Sequence, residues 1–507
     1  MSKGKLVLVS LVWLGILAIG VLTYRLWYVP TAEEKEHAEQ EEVIDATSGS
    51  SQYQARVRLG LDAFSGYAIL RSDEMNQQLR TRGIKLDLID DGADYQKRLS
   101  GLAAGELQMA AFPIDALLRA SQAAGSLPAT IVAIIDETRG ADALVAYKSK
   151  FPTVDSLNSA DTKFVLVGDS PSETLVRVLL HDFQLDAVHA SAIAPVSTER
   201  EVIARYKAAT PQGNEVFVTW EPVVSELLVN DQMHVLIDTS SQSGYIVDAL
   251  VVSRDYLIKN QDVVRQVVES YFRARYAFAD DQKLAELVRR DANEAGSNIT
   301  PEQAQKLVSG ILWKNTQENM AHFGLQSANV PLIEDLIDRI KRVLLETKGL
   351  ENDPTGGDSR KIFYEQVLSQ LQTAGFHPGT APESVRGDVE LRRLSDQQWE
   401  QLTPVGTLSV PPLVFARGTA KLTGRSQSVL DELVEKLKSW PQYYVMIRGN
   451  AGAIGDATAN RRLAKQRADA ALQYLQTAGV ADERIRAIEG ELSGDMSVTF
   501  VLGQPAY

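Results

Sequence analysis

The sequence contains no cysteine, which excludes thiolate nucleophiles, disulfides, cysteine-based metal sites and a lipidated N-terminal cysteine. Its six histidines are scattered, with no H-E-x-x-H motif or His-x-His pair. There is also no Walker A loop, G-x-S-x-G elbow or glycine-rich dinucleotide fingerprint. We therefore expect no cofactor, no metal and no enzyme activity. The net charge of −14 argues against a nucleic-acid surface, because such a surface needs a basic stripe.

Only one long apolar run is present, and it lies at the N-terminus. It is apolar from Leu6 to Leu22 and, extended to Val29, is long enough to cross a bilayer as a helix. Two lysines precede it and an acid-rich stretch follows. The positive-inside rule therefore predicts a single-pass anchor at residues 1–30 in a bacterial inner membrane, with the bulk of the chain in the periplasm. A cleaved signal peptide is the alternative, but no small-x-small site follows the run.

The 507 residues, 44% of them hydrophobic, suffice for two or three packed domains. Residues 31–55 are acidic and then Ser/Gly-rich, which is typical of an extended tether, although a helical stalk is also compatible. Alternating strand and helix patterns occupy residues 56–350. A linker with short helices is predicted at 351–405, and a small α+β module at 406–507.

Nine segments have the composition of β-strands, with helical patterns between them. Strands separated by crossover helices predict parallel sheets covered on both faces, and elements that return late in the chain predict two lobes. From Val263 to about Leu350 the pattern is helical. The predicted strands are Val57–Leu61, Lys85–Ile89, Gln108–Phe112, Thr130–Ile135, Ala143–Tyr147, Lys163–Val167, Glu215–Thr219, Val235–Ile237 and Ile246–Val252.

Polar and aromatic residues follow five of these strands. Ligands of open α/β sheets bind at the carboxyl ends of strands, and a few polar groups between aromatic walls suit a small molecule. Loops in such folds are polar in any case, so residue types alone leave both interpretations open. Ser170 is also placed to cap the next helix. The candidate ligand contacts are Ser65, Gly66, Tyr67, Asp136, Thr138, Arg139, Ser170, Trp220 and Glu221.

Four stretches occur in a familiar order: "LDAFSGYAIL", "RLSGLAAGELQMA", "ETRGADALVA" and "VTWEP". From Arg56 to about Leu325 the chain thereby resembles periplasmic binding proteins of the nitrate/sulfonate/thiamine-pyrimidine type. The resemblance implies a type II-like fold whose two lobes close on one small ligand by hinge motion. It also implies an anionic, sulfonate or pyrimidine-like ligand, delivered to an ABC permease or sensed locally.

The same resemblance suggests roles for individual side chains. Tyr67 and Trp220 would sandwich a planar or apolar group. Arg139 would pair with an anionic group, and Asp136, Glu137 or Glu221 with a cationic one. Residues of both signs are present, so the charge of the ligand stays open at this point.

The C-terminal module has a predicted β–α–β–α–β–β order. "FARGTAKL" is followed by Gly449, Gly455, Asn460, Leu463 and Arg467-Ala468 at a spacing similar to that of OmpA-like peptidoglycan-associated domains. The resemblance implies that Arg467 and an acid hold the charged groups of the wall peptide's diamino acid. Here Gly452 stands at the position of the acid, and Asn450 and Ala451 replace the preceding His-Thr.

Loss of that acid leaves the ligand's ammonium without a partner, which costs on the order of 1–3 kcal/mol. We therefore expect weakened peptidoglycan binding through Asn450, Asn460 and Arg467, with Asn460 also capping the helix. Asp456 in the same turn is a possible substitute. The alternative is a repurposed module, in which both domains are interaction platforms of an envelope assembly.

Overall fold

The computed structural model describes residues 53–386, 391–493 and 496–505. The chain divides into two compact units, Met1–Arg56 with Gly83–Lys85 and Val57–Arg82 with Leu86–Tyr507. The side-chain contacts reported below lie within the second unit. The anchor predicted at residues 1–30 lies outside the described residues. Among the helices that the structure describes, none has the length and apolar character needed to span a bilayer.

Two mixed sheets form the first part of the second unit. Lobe 1 contains β1 (Ala55–Leu61), β2 (Ile84–Asp90), β3 (Met109–Pro113), β4 (Ala129–Thr138), β10 (Val247–Ser253) and β11 (Ile311–Trp313), in the order β11-β4-β10-β3-β1-β2. Lobe 2 contains β5 (Asp142–Tyr147), β6 (Lys163–Val167), β7 (Ile193–Val196), β8 (Glu215–Trp220) and β9 (Met233–Asp238), in the order β7-β6-β8-β5-β9.

Helices connect and cover these two sheets, and the last three helices given below belong to the C-terminal module. Several begin at side-chain caps; for example, Ser72 accepts a hydrogen bond from Met75 N and Asp94 from Lys97 N. The helices are α1 (Ala68–Arg71), α2 (Asp73–Arg80), α3 (Tyr95–Ala104), α4 (Ile114–Ala124), α5 (Pro171–Asp182), α6 (Glu199–Ala208), α7 (Val223–Leu227), α8 (Arg254–Lys259), α9 (Gln261–Ala277), α10 (Asp281–Glu294), α11 (Pro301–Gly310), α12 (Thr316–His322), α13 (Ile333–Glu346), α14 (Gln366–Thr373), α15 (Asp396–Glu400), α16 (Gly424–Lys438) and α17 (Ala457–Thr477).

The chain crosses between the lobes twice, from β4 to β5 and from β9 back to β10. The predicted two-lobed fold is therefore confirmed. The expectation of purely parallel sheets is wrong: β10 is antiparallel to β3 and β4, and β5 is antiparallel to β8 and β9. The strand that follows each crossing enters its sheet from the other lobe, so it runs against its neighbours. The pairs β1–β3, β6–β7 and β6–β8 are parallel.

All nine predicted strands are present, with shifted ends, and two strands were missed. β11 interrupts the segment that was predicted to be helical from Val263 onward. It has only three residues, too few to show a period of two, and it is recruited by pairing with the end of β4. β7 is also short and contains Pro195, which suits its place at the edge of the sheet.

Lobe 1 has a continuous core because β4 and β10 are buried along their whole length. The run "ATIVAIIDET" is rich in β-branched residues and has no polar face until its last three positions, as expected for a central strand. The stretch 351–386, predicted as linker, also packs on this lobe: Arg386 Nε lies 2.7 Å from Glu318 Oε1 of α12.

The C-terminal module has a four-stranded sheet covered by α16 and α17. Its strands are β12 (Thr403–Thr407), β13 (Tyr444–Gly452), β14 (Ile485–Ser493) and β15 (Ser497–Gln504), in the order β12-β15-β13-β14. The predicted β–α–β–α–β–β order is confirmed. The predicted cap is wrong, because α17 begins after Asp456, whose carboxylate accepts a hydrogen bond from Ala459 N at 2.7 Å. Asn460 lies inside the first turn of the helix.

One buried carboxylate joins lobe 2 to this module. Asp182 at the end of α5 accepts hydrogen bonds from Trp440 Nε1 at 2.8 Å and Tyr245 OH at 3.1 Å. Its other oxygen lies 2.6 Å from His181 Nδ1 and 3.4 Å from Lys436 Nζ. Burial alone would raise the pKa of Asp182, but these partners lower it below its usual value.

Candidate functional site

The carboxyl end of β4 carries two acidic side chains into the region where the lobes meet. Asp136 is paired directly with Asp248 of β10, and with Trp313 of β11 on its other side. Residues paired in this way project from the same face, with Cβ atoms about 4.5–5.5 Å apart. Two carboxylates side by side repel each other, so this pair opposes folding unless a proton or a cation intervenes.

Lobe 2 contributes two more acids to the same region. Asp142 opens β5 opposite Trp220 of β8, and Glu199 opens α6. Burial, followed by the charges of Asp115 and Glu199, raises the pKa of Asp142 to about 7. Burial likewise raises the pKa of Glu199 to about 7. We refer to Asp136, Asp142, Asp248 and Glu199 as the junction acids.

The junction acids have few partners among the described residues. Both carboxylate oxygens of Asp136 are buried and accept no hydrogen bond, and Glu199 Oε1 is in the same condition. Asp142 is 4% exposed and its carboxylate has neither a hydrogen bond nor an ion pair with any residue that the structure describes. Asp248 accepts a hydrogen bond from Tyr67 OH.

Burial and mutual repulsion act together on the central pair. Burial raises the pKa of Asp136 well above its usual value, the charge of Asp248 raises it further, and Lys314 opposes both. Burial also raises the pKa of Asp248, although the hydrogen bond from Tyr67 opposes this. A buried titratable cluster with raised pKa values is a candidate functional site.

Acids at the edge of this region are paired, in contrast. Glu137 points away from Asp136 along β4 and lies 2.7 Å from Lys314 Nζ and 3.2 Å from Arg139 Nε. Burial would raise the pKa of Glu137, but these two cations lower it. Asp62 in turn lies 2.9 Å from the buried guanidinium of Arg98.

The lobes touch each other beside the junction acids. Arg119 of α4 in lobe 1 lies 3.0 Å from Glu173 of α5 in lobe 2. Thr174, next to Glu173, donates a hydrogen bond to Asp115 of α4. The described conformation is therefore one in which side chains of both lobes are in contact and the junction is shut off from solvent.

Two of the three predicted contacts that follow the first strand, Gly66 and Tyr67, lie against the central pair. Ser65, Gly66 and Tyr67 form a short 3-10 turn after β1. A Cβ on Gly66 would come within 2.4 Å of Asp136 Oδ2, so only glycine allows this close approach. Gly66 O accepts a hydrogen bond from Trp313 Nε1 at 2.7 Å. Ser65 is half-buried, and Tyr67 is fully buried beside Asp248.

The predicted contacts after β4 divide into two groups. Thr138 projects from the same face as Asp136, two residues earlier, and its buried hydroxyl has no partner among the described residues. Arg139 is engaged instead: besides Glu137, its guanidinium donates to Ser243 Oγ at 3.0 Å. The structure thus brings Asp136 and Thr138 together but directs Arg139 to an acid of its own chain.

The remaining predicted contacts belong to lobe 2. Ser170 occupies the N-cap position of α5, but its hydroxyl donates to Val167 O at 2.6 Å and makes no capping hydrogen bond, which corrects that expectation. Trp220 is half-buried at the end of β8. Glu221 forms an ion pair with Lys306 Nζ at 2.5 Å, so its charge is already balanced by a residue of its own chain.

Sequence reasoning missed Asp142, Asp248, Glu199 and Trp313. One signal was available for the first two. The sequence "DALV" occurs at the start of both strands that follow a crossing, from Asp142 in β5 and from Asp248 in β10. Glu199 follows the missed strand β7, and Trp313 lies in the missed strand β11.

At the position where wall binding was predicted, Arg467 has no acidic partner among the residues that the structure describes. The guanidinium of Arg467 lies over the Phe415 ring, 4.8 Å from its centroid, and Nε donates to Thr419 O at 3.1 Å. Gly452 ends β13, and a Cβ built there meets nothing closer than 3.9 Å. A Cβ atom would therefore fit at Gly452.

The other two predicted wall contacts hold the surrounding loop. Asn460 Nδ2 donates to the carbonyl oxygens of Gly452 at 3.0 Å and Ile454 at 2.8 Å. Asn450 Nδ2 donates to Ser497 Oγ at 3.2 Å on the neighbouring strand β15. Asp456, the possible substitute acid, caps α17 with one carboxylate oxygen.

Comparisons with known proteins identify the C-terminal module. Residues 414–495 match the family model described as OmpA family, which confirms the predicted OmpA-like domain. No protein of curated function is significantly similar to the chain in sequence.

Several solved structures are distantly similar to the chain. The alkanesulfonate-binding protein SsuA from Xanthomonas axonopodis pv. citri, bound to MOPS, is 17% identical with a TM-score of 0.46, over 62% of this chain and 99% of that one. The periplasmic nitrate-binding protein NrtA from Synechocystis PCC 6803 is 11% identical with a TM-score of 0.46, over 63% and 88%. The desulfurization enzyme DSZB is 10% identical with a TM-score of 0.42, over 64% and 100%.

Proposed function

We propose that this chain is a membrane-anchored periplasmic protein that captures a small solute between its two lobes and is linked to the cell wall by its OmpA-like module. The observation that carries the proposal is the set of buried, unpartnered polar atoms where the lobes meet, on Asp136, Thr138 and Glu199. Buried polar groups are almost always paired in folded proteins, so such a set indicates a binding partner.

Binding would require the lobes to separate, because the junction acids are buried while the lobes touch. The two crossings are the natural hinge, since they connect the sheets. Opening would break the contact between Arg119 and Glu173, and closing around the solute would restore it. Delivery to an ABC permease and signalling to another envelope protein are both compatible with such a cycle.

A thermal-shift screen of the full chain with amines, sulfonates, oxyanions and pyrimidines tests solute capture. A ligand at a hundredfold excess over its Kd should stabilise the folded chain by about 2.7 kcal/mol. If no class shifts the unfolding of a folded chain, solute capture is rejected. The alternative, an envelope assembly that uses both domains as interaction platforms, would then be favoured.

Wall attachment is tested by a sacculus pull-down of the full chain. Arg467 is the one basic residue that the OmpA-like resemblance implies as a contact of the wall peptide. Arg467→Ala should therefore reduce the bound fraction. Arg462→Ala, an exposed arginine on the same helix, is the matched control. Equal retention of wild type and Arg467→Ala would mean that the module does not use this position for the wall.

A further inference from the structure

Building on the proposed function, we infer that the captured solute is a small organic cation, an ammonium or amidinium compound, bound between Asp136 of lobe 1 and Asp142 of lobe 2. These carboxylates come from different lobes, on either side of the crossing from β4 to β5, and lie close enough for the charge of Asp142 to act on Asp136. A cation between them would neutralise both and would favour the closed arrangement.

The balance of charge around the junction supports this assignment. The nearby basic side chains are already committed: Lys314 and Arg139 to Glu137, Arg98 to Asp62, and Arg119 to Glu173. The charge of Lys314 is felt by Asp136, but no basic side chain that the structure describes forms an ion pair with Asp136 or Asp142. An anionic solute would add a further negative charge to this region, and Arg139 would have to leave Glu137 to receive it.

Uncharged polar groups give a second, independent observation. Thr138 projects from the same face of β4 as Asp136, and only 3% of the residue is exposed. Its buried hydroxyl has no hydrogen-bond partner in the described chain. Gln242, on the return crossing, has both amide atoms buried without a partner. Unused hydroxyl and amide groups suit a ligand that also forms hydrogen bonds.

Aromatic rings make an organic cation more suitable than a bare metal ion. Trp313 is paired with Asp136 across the sheet and is almost completely buried. The Tyr67 hydroxyl donates a hydrogen bond to Asp248. Burial raises the pKa of Tyr271, and the nearby charge of Asp136 raises it further. Carboxylates beside aromatic faces are a favourable setting for an alkylammonium or amidinium group.

Isothermal titration calorimetry on the full chain tests the charge of the solute. The probes are choline, putrescine and acetamidine as organic cations, nitrate and methanesulfonate as anions, and Mg²⁺ as a metal ion. We expect saturable binding of at least one organic cation and none of either anion. Asp136→Asn and Asp142→Asn should each weaken that binding by about 10–100-fold, as expected for loss of one charged hydrogen-bond partner.

Asp155→Asn, which alters an exposed acid of lobe 2 away from the junction, is the matched control and should bind the probe unchanged. Far-ultraviolet circular dichroism verifies the fold of each variant, and because the two acids belong to different lobes, either variant can carry the test. Binding of an anion, retained in both variants, would overturn the charge assignment and leave solute capture standing. Binding of Mg²⁺ alone would overturn the organic cation. Absence of binding by every probe would overturn this inference, and the broader thermal-shift screen decides separately whether solute capture also fails.

Discussion

Two sets of buried carboxylates in this molecule have opposite surroundings. Asp182, where lobe 2 meets the C-terminal module, receives hydrogen bonds from Trp440 and Tyr245 and lies beside Lys436. Asp136 and Asp142, where the lobes meet, have no such partners in the described chain. All three are buried, yet the pKa of Asp182 is lowered and the pKa values of the other two are raised.

Partners, rather than burial, therefore distinguish the two sets. A carboxylate that holds two parts of a chain together permanently gains by being fully paired, because an uncompensated buried charge is costly. A carboxylate that meets its partner only for part of the time must be left unpaired by its own chain. Asp182 fits the first description and the junction acids fit the second.

Replacing Asp182 should have the largest effect on stability. In Asp182→Asn the amide cannot pair with the charge of Lys436 and cannot accept all the hydrogen bonds that the carboxylate receives. We expect the free energy of unfolding to fall by about 3–5 kcal/mol, the usual result of breaking a buried pair. Urea denaturation of the full chain measures the change.

Asp155 offers a matched control for this prediction. It also lies between lobe 2 and the C-terminal module, since it accepts hydrogen bonds from Thr407 N at 2.7 Å and Thr407 Oγ1 at 3.0 Å, but it is exposed. Asp155→Asn should cost less than about 1 kcal/mol. Equal losses in Asp155→Asn and Asp182→Asn would mean that burial and multiple pairing give Asp182 no special role.

The two sets should also differ in how they respond to pH. Asp142 and Glu199 have pKa values of about 7 in the folded chain, above the usual 3.8 and 4.5, so the folded state holds protons that the unfolded state releases. The ligand-free chain should therefore lose stability as the pH rises from about 5 to about 8, by at least about 2 kcal/mol. Asp182 contributes in the other direction and only below about pH 4, because its pKa is lowered.

Denaturation at several pH values, with and without substitutions, checks this sign. Asp142→Asn removes one of the titrating groups, so it should flatten the profile and make the ligand-free chain more stable at pH 8 than wild type. Asp182→Asn should shift the whole profile down without flattening it between pH 5 and pH 8. A wild-type chain whose stability is constant across that range would refute the unpaired state of the junction acids.

The sequence predicted most of the fold because its strands are strongly apolar and regularly spaced. Runs such as "ATIVAIIDET" leave little choice of structure, and all nine such segments are strands. β7 and β11 were missed because they have four and three residues and depend on neighbouring strands for their existence. The antiparallel direction of β5 and β10 was missed because it follows from the crossings, which are a property of the whole chain.

The candidate site was harder to predict, because the type of a residue does not show which ion pairs and hydrogen bonds it forms in the folded chain. Asp136 and Thr138 were identified from their place at a strand end, and they do lie together. Arg139 follows the same strand, yet its guanidinium is already bound to Glu137 and Ser243. Asp248 becomes a neighbour of Asp136 only through the return crossing, more than a hundred residues later.

The C-terminal module presents the reverse of the junction, a cation without an acidic partner in the described part of the module. Arg467 is held in place by Phe415 and Thr419, and a Cβ atom at Gly452, the position expected to carry the acid, would meet nothing closer than 3.9 Å. Gly452→Asp should therefore restore a partner for the ammonium of the wall peptide and increase sacculus affinity by about 5–30-fold, or about 1–2 kcal/mol.

Two further variants isolate the charge in this last and smallest effect. Gly452→Asn has nearly the same shape without the charge, so it should give little or no increase. Arg467→Ala combined with Gly452→Asp should abolish the increase, because the carboxylate of the wall peptide then loses its own partner. If Gly452→Asn and Gly452→Asp behave alike in the pull-down, the shape of the side chain limits binding and its charge does not. The contrast between the cation of this module and the acids of the junction would then have no functional meaning.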